Sequence, residues 1–287
     1  MKNIFKSSLL LVAALMMMGT TSCTVQESSP ENGIGLQLWS VKDDMKKDAV
    51  ATIKAVGAMG YDFVETAGYG DGKMYGMDPL EFKALVEENG MKFLGAHTGQ
   101  PIPDSGKWEE VMAWWDVCIA AHKEAGVIYI VQPFMGGSGY ESIEGLQAYC
   151  DYFNAVGEKC NEAGIRFGYH NHNHEFEELE GQVIYDYMLE NTEPEKVMFQ
   201  LDLYWINNGG GVATEYFTNY PGRFYSFHIK DEKELGESGE MDFQSSFDMA
   251  ETAGVQYNVV EVERYNFEPL ESVEKSLEYL KEIGFVK

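Results

Sequence analysis

The segment Glu162-Ala163-Gly164-Ile165-Arg166-Phe167-Gly168-Tyr169-His170 contains the pattern that decides the fold: the end of a helix-like stretch, a glycine, a short apolar run and a polar residue. A glycine directly after a helix is a common C-cap, and an apolar run behind it is typical of a parallel strand that is covered on both faces. The same pattern recurs around the glycines at positions 60, 90, 126 and 254. The sequence therefore predicts alternating helices and parallel strands.

Eight apolar runs of this kind predict a single (β/α)8 TIM barrel, an α/β fold, between residues 34 and 287. The predicted strands are 34–39, 61–65, 91–97, 127–132, 165–170, 197–202, 224–228 and 255–261. The predicted helices are 43–59, 78–89, 107–125, 142–163, 181–191, 243–253 and 269–283. A doubly wound open sheet is the alternative, but it requires a glycine-rich turn after the first strand, and Gln37-Leu38-Trp39-Ser40-Val41 contains no glycine.

The first residues resemble an export signal rather than part of a domain. Lysines precede an apolar run at residues 9–18, which is too short to span a membrane as a helix, and small residues lead into Cys23. We therefore predict a lipoprotein-type signal peptide at 1–22, lipidation of Cys23 and a flexible tether at 23–33. The mature protein would be exported and membrane-anchored as a lipoprotein, in the periplasm or at the cell surface. A plain cleaved signal with an incidental cysteine is the alternative.

The chain has a formal net charge of −26, from 21 basic and 47 acidic residues. This charge would repel nucleic acid, because proteins that bind phosphate backbones need clustered lysine and arginine. It also disfavours a phosphorylated substrate, although a divalent metal would offset it locally. The other cysteines, Cys118, Cys150 and Cys160, lie in helix-like segments without metal-type spacing, and we interpret them as buried small apolar residues.

Polar residues, together with one tryptophan, mark the ends of the predicted strands. In a barrel these positions converge on one face, so an Asp, a His and a Glu that are far apart in sequence can surround one ion. The residues are Gln37, Trp39, Glu65, His97, Gln132, His170, His172, Asp202, His228, Lys230, Asp231, Glu261 and Glu263. Half of the six histidines lie within 170–174, and a histidine-rich surface loop is the alternative interpretation of that tract.

Given these strand ends, the chain resembles the xylose-isomerase-like sugar phosphate isomerase/epimerase superfamily over essentially everything after residue 33. The most specific matches are Leu201-Asp202, Phe227-His228-Ile229-Lys230-Asp231 and Val260-Glu261-Val262-Glu263. The resemblance implies a TIM barrel whose strands five to eight hold a divalent metal ion, Mn, Co, Zn or Mg, through Glu, Asp, His and Glu. Asp202, His228 and Glu261 match three of these ligands.

The fifth strand departs from that pattern. Many relatives have Glu-Asn-His where this chain has His170-Asn171-His172. The resemblance thus places His170 at the metal position and His172 at a position that is often used as an acid or base. Residues i and i+2 share one face of a strand, so a register shifted by two would instead put Gly168 at the Glu position, with Glu175 supplying the carboxylate from the loop.

The chemistry that the resemblance implies is removal of a proton from a carbon next to a carbonyl group. A metal ion polarises the carbonyl while a base takes the proton. The candidate bases are His172, Glu65, His97 and Glu263, and Lys230 would stabilise the enediolate. Gln37, Trp39 and Trp205 are the candidate substrate-binding residues.

Several of these residues have a structural alternative. Glu65 precedes a turn that it could cap, and His97 could be a hydrogen-bonded core histidine. Trp39 and Trp205 could pack in the core instead of against a sugar. The segment Asn207-Asn208-Gly209-Gly210-Gly211 is predicted to be a loop that permits close approach to the site.

Together these features predict a metal-dependent enzyme that isomerises or epimerises a small, non-phosphorylated carbohydrate. Elimination from a keto-sugar or keto-glycoside, catalysed by a lyase or dehydratase of the same superfamily, is the first alternative. Hydrolysis of nucleic acid is disfavoured by the charge. The alternative from another class is a noncatalytic carbohydrate-binding lipoprotein, which has no need of a metal ion.

Overall fold

Eight parallel strands close into a barrel in the residues that the structure, a computed structural model, describes: 32–104 and 106–286. Each strand pairs with its neighbours in sequence, and the first pairs with the last. The strands are β1 (Ile34–Gln37), β2 (Phe63–Thr66), β3 (Lys92–His97), β4 (Tyr129–Gln132), β5 (Arg166–His170), β6 (Val197–Asp202), β7 (Phe224–Ile229) and β8 (Tyr257–Val260). The predicted (β/α)8 barrel and its eight strands are confirmed.

Helices form the layer around the barrel. They are α1 (Lys42–Met59), α2 (Pro79–Glu88), α3 (Trp108–Ala125), α4 (Ser138–Glu141), α5 (Ile143–Ala163), α6 (Ile184–Asn191), α7 (Leu203–Asn208), α8 (Ala213–Asn219), α9 (Phe243–Asp248), α10 (Ala250–Ala253) and α11 (Pro269–Glu282). The seven predicted helices are all present, the sixth of them divided into α9 and α10. Short hairpins at 69–74 and 178–183 lie in the connections after β2 and β5.

The glycines of the recurring pattern end helices as predicted. Gly60, Gly126, Gly164 and Gly254 directly follow α1, α3, α5 and α10, and Gly90 lies two residues beyond α2. Their φ angles lie between 79° and 100°, in the left-handed region that favours glycine. Each turn of this kind leads the chain back into the next strand.

Aromatic rings fill the N-terminal end of the barrel interior, opposite the polar strand ends. The main core lies between strands and helices and includes the buried free thiols Cys118, Cys150 and Cys160, as interpreted from the sequence. At the N-terminal ends of the strands, the Tyr129 ring contacts Tyr225 and Tyr257, with ring centres 6.0 and 5.9 Å away. These tyrosines come from β4, β7 and β8, so their rings meet across the interior and close that end.

The connection from β6 to β7 differs from the predicted loop. Asn207 and Asn208 form the last turn of α7, whose first turn is capped by Asp202, because Oδ1 of Asp202 accepts the Trp205 N–H at 2.8 Å. Gly209 and Gly211 pack closely against Phe176. The segment therefore supports the α7–α8 turn instead of lining the site.

Within 32–104 and 106–286, no helix is long and apolar enough to cross a membrane. The predicted signal peptide at 1–22, most of the tether and Cys23 lie outside the described residues. Export and lipid anchoring stay predictions from the sequence.

Gly157 provides a test of how tightly the helices pack on the barrel. A Cβ at this position of α5 would lie 2.2 Å from the backbone oxygen of Lys196, just before β6. Although alanine has the better helix propensity, we expect Gly157→Ala to lower the free energy of unfolding by about 1–3 kcal/mol in urea titrations. The exposed Glu162 of the same helix is the control, and Glu162→Ala should change the free energy of unfolding by less than about 0.5 kcal/mol. Equal stability of Gly157→Ala and the wild type would contradict this packing.

Candidate metal centre and active site

The four predicted metal ligands meet at the C-terminal end of the barrel. His170, Asp202 and His228 lie at the ends of β5, β6 and β7, and Glu261 directly follows β8. One ligand atom from each residue lies within 4.8 Å of the others, and all four side chains are buried. Parallel pairing produces this convergence, since Asp202 is directly opposite His228 on the neighbouring strand.

Asp202 shows that this cluster fits a metal ion. Its Oδ1 caps α7, but its Oδ2 is buried and has no hydrogen-bond partner among the described residues. Burial raises the pKa of Asp202 to about 7, although Lys230 opposes the shift. An unpartnered carboxylate oxygen inside a protein is strongly unfavourable, and a divalent cation would satisfy it. Two imidazoles and two carboxylates are also a common donor set for such ions.

His228 lies between two carboxylates. Its Nε2 is 2.8 Å from Oε1 of Glu65, and its Nδ1 is 3.3 Å from Oε2 of Glu261. Burial alone would lower the pKa of His228, but the two carboxylates outweigh burial and raise it to about 10. The charge that holds a proton on this imidazole would equally favour a metal cation.

Glu65, predicted as a candidate base, lies at the centre of a hydrogen-bond network inside the barrel. It is fully buried, and it accepts hydrogen bonds from the amides of Gln37 at 2.7 Å and Gln200 at 2.8 Å. Burial would raise the pKa of Glu65, but His97 and His228 lower it well below its usual range. The alternative that Glu65 caps a surface turn does not apply, because its carboxylate points into the barrel.

His97 belongs to the same network and borders the site. Its Nε2 lies 3.0 Å from Glu65 and 2.6 Å from Oε1 of Gln200, and its ring stacks on His228 with centres 4.9 Å apart. His97, His170 and His228 also have ring nitrogens within 4.8 Å of one another. Because Nε2 of His97 already contacts Glu65 and Gln200, His97 forms one wall of the centre. The unpartnered Oδ2 of Asp202 remains free for a ligand.

Gln200 is the functional residue that the sequence analysis missed. Its Oε1 lies 3.2 Å from Nδ1 of His170, and its Nε2 also donates to Ser226 at 3.1 Å. A hydrogen bond from Nδ1 leaves Nε2 of His170 unprotonated and directed at Asp202, 3.9 Å away. The available signal was its position two residues before Asp202 on β6, on the same face of the strand.

Glu175 does not join the cluster, so the alternative in which it replaces His170 as a ligand is not supported. Its Oε1 accepts hydrogen bonds from the hydroxyls of Tyr140 at 2.7 Å and Tyr169 at 2.6 Å. Its Oε2 accepts the backbone N–H of His172 at 2.8 Å. Glu175 therefore fixes the chain just after β5, whereas His174 is exposed and pairs with Glu177.

His172 lies beside the cluster without being part of it. Its ring centre is 5.1 Å from that of His170 and 5.8 Å from that of Trp205. Burial lowers the pKa of His172, although the carboxylates of Glu175 and Glu261 oppose the shift. Burial therefore favours the neutral form of the imidazole, which is the form that can accept a proton.

Lys230 connects the cluster to the rim of the site. Its ammonium donates to Oε2 of Glu261 at 2.9 Å and to Oε2 of Glu263, while Oε1 of Glu263 accepts the indole N–H of Trp39 at 3.1 Å. Burial would lower the pKa of Lys230, but Glu261, Asp202 and Glu263 raise it above its usual value. Lys230 is thus a fixed positive charge between Glu261 and Glu263.

The three candidate substrate-binding residues take different positions. Gln37 is fully buried, and its Oε1 accepts the backbone N–H of Trp39 at 3.0 Å while its amide donates to Glu65. Gln37 therefore orients Glu65 and Trp39, contrary to the predicted contact with substrate. Trp39 is 41% exposed at the rim, and the Trp205 ring lies 5.3 Å from the Lys230 ammonium.

A cavity of about 420 Å³ opens directly beside the cluster. It is lined by Trp39, Ala67, His97, Thr98, Gly99, Pro133, Phe134, His170, His172, Glu261 and Glu263. A cavity of this size accommodates a small organic molecule. It brings such a molecule against both the metal-ligand cluster and His172.

Known proteins share this architecture. A family model for the xylose isomerase-like TIM barrel matches residues 53–283, whereas no curated protein matches the chain. A solved sugar phosphate isomerase/epimerase from Parabacteroides distasonis ATCC 8503 is 32% identical, with a TM-score of 0.82 over 88% of this chain and 99% of that one. A second structure so named from the same organism is 31% identical, with a TM-score of 0.82 over 91% and 97% of the two chains.

A more distant structure shares the fold alone. An L-ribulose 3-epimerase is 16% identical, with a TM-score of 0.69 over 88% of this chain and 94% of that one. The family model covers most of the chain, and the Parabacteroides structures cover nearly all of the described barrel. The chain belongs to the xylose isomerase-like TIM barrel family.

Proposed function

We propose that this protein is a divalent-metal-dependent enzyme that isomerises or epimerises a small, non-phosphorylated carbohydrate by removing a proton from the carbon beside a carbonyl group. The observation that supports it best is the unpartnered Oδ2 of Asp202, buried among His170, His228 and Glu261 next to a cavity. A protein that only binds sugar has no need to bury such a group.

The residues around the cavity have different roles in this reaction. A divalent metal held by His170, Asp202, His228 and Glu261 would supply a Lewis acid for the carbonyl oxygen. His172 accepts the proton, because its neutral ring lines the cavity and its backbone is fixed by Glu175. Against the effect of burial, Lys230 lowers the pKa of Glu261, and it donates a hydrogen bond to Glu263, which in turn positions Trp39. Because both oxygens of Glu263 already accept hydrogen bonds, it is a weaker candidate base than His172.

The lining of the cavity supports a substrate without phosphate. Among the described residues that line it, none is arginine or lysine, and two are glutamates. A phosphate group placed there would meet the carboxylates of Glu261 and Glu263, and the neighbouring ammonium of Lys230 is already paired with both of them. The net charge of −26 adds to this repulsion.

Hydrogen exchange at carbon tests the reaction. Metal-loaded protein is incubated in deuterated water with a panel of free and 3-oxidised sugars. We expect at least one sugar to incorporate deuterium at the carbon next to its carbonyl group, as followed by NMR. Incorporation without loss of water or of a glycosidic group supports an isomerase or epimerase, and such a loss identifies a lyase. Absence of exchange with every sugar would refute proton abstraction.

Substitutions separate the base from the metal ligands. His172→Ala should keep its bound metal but lose exchange by about 100- to 10,000-fold, the usual contribution of a positioned acid or base. Asp202→Ala should lose the metal, as measured by elemental analysis after gel filtration. The exposed His174 provides the matched control, and His174→Ala should retain both properties. Full exchange by His172→Ala would remove His172 from the mechanism.

The ligand set also predicts which metal ions bind. Imidazole suits zinc and cobalt, whereas carboxylate and water suit magnesium, so two histidines favour Zn²⁺ or Co²⁺ over Mg²⁺. In competition titrations, we expect His170→Glu to shift the Zn²⁺/Mg²⁺ affinity ratio toward Mg²⁺ by at least about tenfold. His174→Glu makes the same charge change on the surface and should leave the ratio unchanged. An unaltered ratio in His170→Glu would show that His170 is not a ligand.

A further inference from the structure

A second cavity, of about 480 Å³, adjoins the one beside the metal-ligand cluster. Trp39 and Ala67 line both cavities, so the two cavities are neighbours on either side of these residues. The second cavity lies between the start of α1 and the connection after β2, and its apolar surface includes Leu38 and Met45. It is at least as large as the first, so the two together offer about twice the space of the cavity beside the cluster.

One wall of the second cavity is built by a strained tyrosine. Tyr75 has a φ of 49°, which is unusual for a bulky side chain and persists only where surrounding contacts enforce it. Its ring packs on Gly68, where a Cβ would lie 2.3 Å from the nearest ring carbon. Its hydroxyl accepts the Ala67 N–H at 3.1 Å, and its own N–H donates to the Gly68 carbonyl at 2.7 Å. These contacts give the cavity a fixed shape.

Two lysines provide hydrogen-bond donors at the opposite side. The Lys42 ammonium lies 4.1 Å from the centre of the Trp39 ring, and Lys46 lies one helical turn further along α1. Neither is in an ion pair with a carboxylate of the described residues, although the chain has 47 acidic residues against 21 basic ones. Apolar walls with a few donors match a sugar ring, whose faces are C–H surfaces and whose edges are oxygen atoms. Asp43 also lines this cavity and opposes a doubly charged phosphate.

We propose that the second cavity is a subsite for a second ring of the substrate, so that the enzyme prefers a glycoside of at least two rings to a free monosaccharide. The reacting ring occupies the cavity beside the cluster, and its neighbour extends past Trp39 toward Lys42 and Lys46. This inference rests on the proposed function for the identity of the reacting ring.

Binding of matched ligands tests the subsite. The probes are the methyl β-glycosides of glucose, galactose, xylose and mannose, and the β-1,4-linked homodisaccharides of the same sugars with the reducing end also blocked by methyl, so that each pair differs only in the second ring. They are titrated by calorimetry into metal-loaded full-length protein. We expect at least one disaccharide to bind about tenfold more tightly than its methyl glycoside. Lys46→Glu should lower the affinity for that disaccharide by roughly fivefold and leave the affinity for the methyl glycoside unchanged, because Lys46 lines only the second cavity. Lys47→Glu, with the same charge change on a neighbouring exposed residue, should alter neither.

Several results would overturn the subsite. They are equal affinities within every ligand pair, an equal effect of Lys46→Glu and Lys47→Glu, and tighter binding of glucose 6-phosphate than of any disaccharide. The binding readout separates this inference from the proposed reaction. A preference for the disaccharide without deuterium exchange would refute the proposed reaction but support the subsite. Deuterium exchange with equal affinities for the two ligands of every pair would support the reaction but refute the subsite.

Discussion

The burial of the Glu65 carboxylate is the constraint on which the active face of this barrel depends. A charge removed from water is strongly destabilising unless it is paired and hydrogen-bonded. Glu65 meets this requirement only through side chains of other strands: Gln37 of β1, His97 of β3, Gln200 of β6 and His228 of β7. Because β6 and β7 lie across the barrel from β2, closing the barrel in this register is what satisfies the carboxylate.

The same network sets the electrostatics of the metal centre. Three buried carboxylates, those of Glu65, Asp202 and Glu261, share a small volume with one buried ammonium, that of Lys230. The excess of negative charge explains why the pKa of His228 lies far above its ordinary value. Burial explains why Asp202 tends to protonate as well. Protons and a divalent cation compete for such a site, so the same excess of negative charge would favour a bound metal ion.

Much of the candidate site could be predicted because its residues are charged or aromatic residues at strand ends. Asp202, His228 and Glu261 are conspicuous after apolar runs, and they lie together as expected. Gln200, Glu175 and Gln37 were harder. Gln200 sits inside an apolar run, Glu175 lies in a loop, and Gln37 resembles a substrate contact at a strand end. Their roles depend on partners that a strand pattern does not identify, such as Tyr140 for Glu175.

Local patterns in the amino-acid sequence specify the alternation of strands and helices, the glycine turns between them and the polar strand ends. These are local properties, since apolar periodicity and the φ preference of glycine act over a few residues. Which polar residues share a centre, and which residues support that centre, depends on how the strands come together in three dimensions. Glu65 and His228 are 163 residues apart, and Gln200 and Glu65 are 135 apart. Barrel closure joins them, and the need to pair buried charge then assigns Glu65 and Gln200 to the supporting network while leaving Oδ2 of Asp202 open.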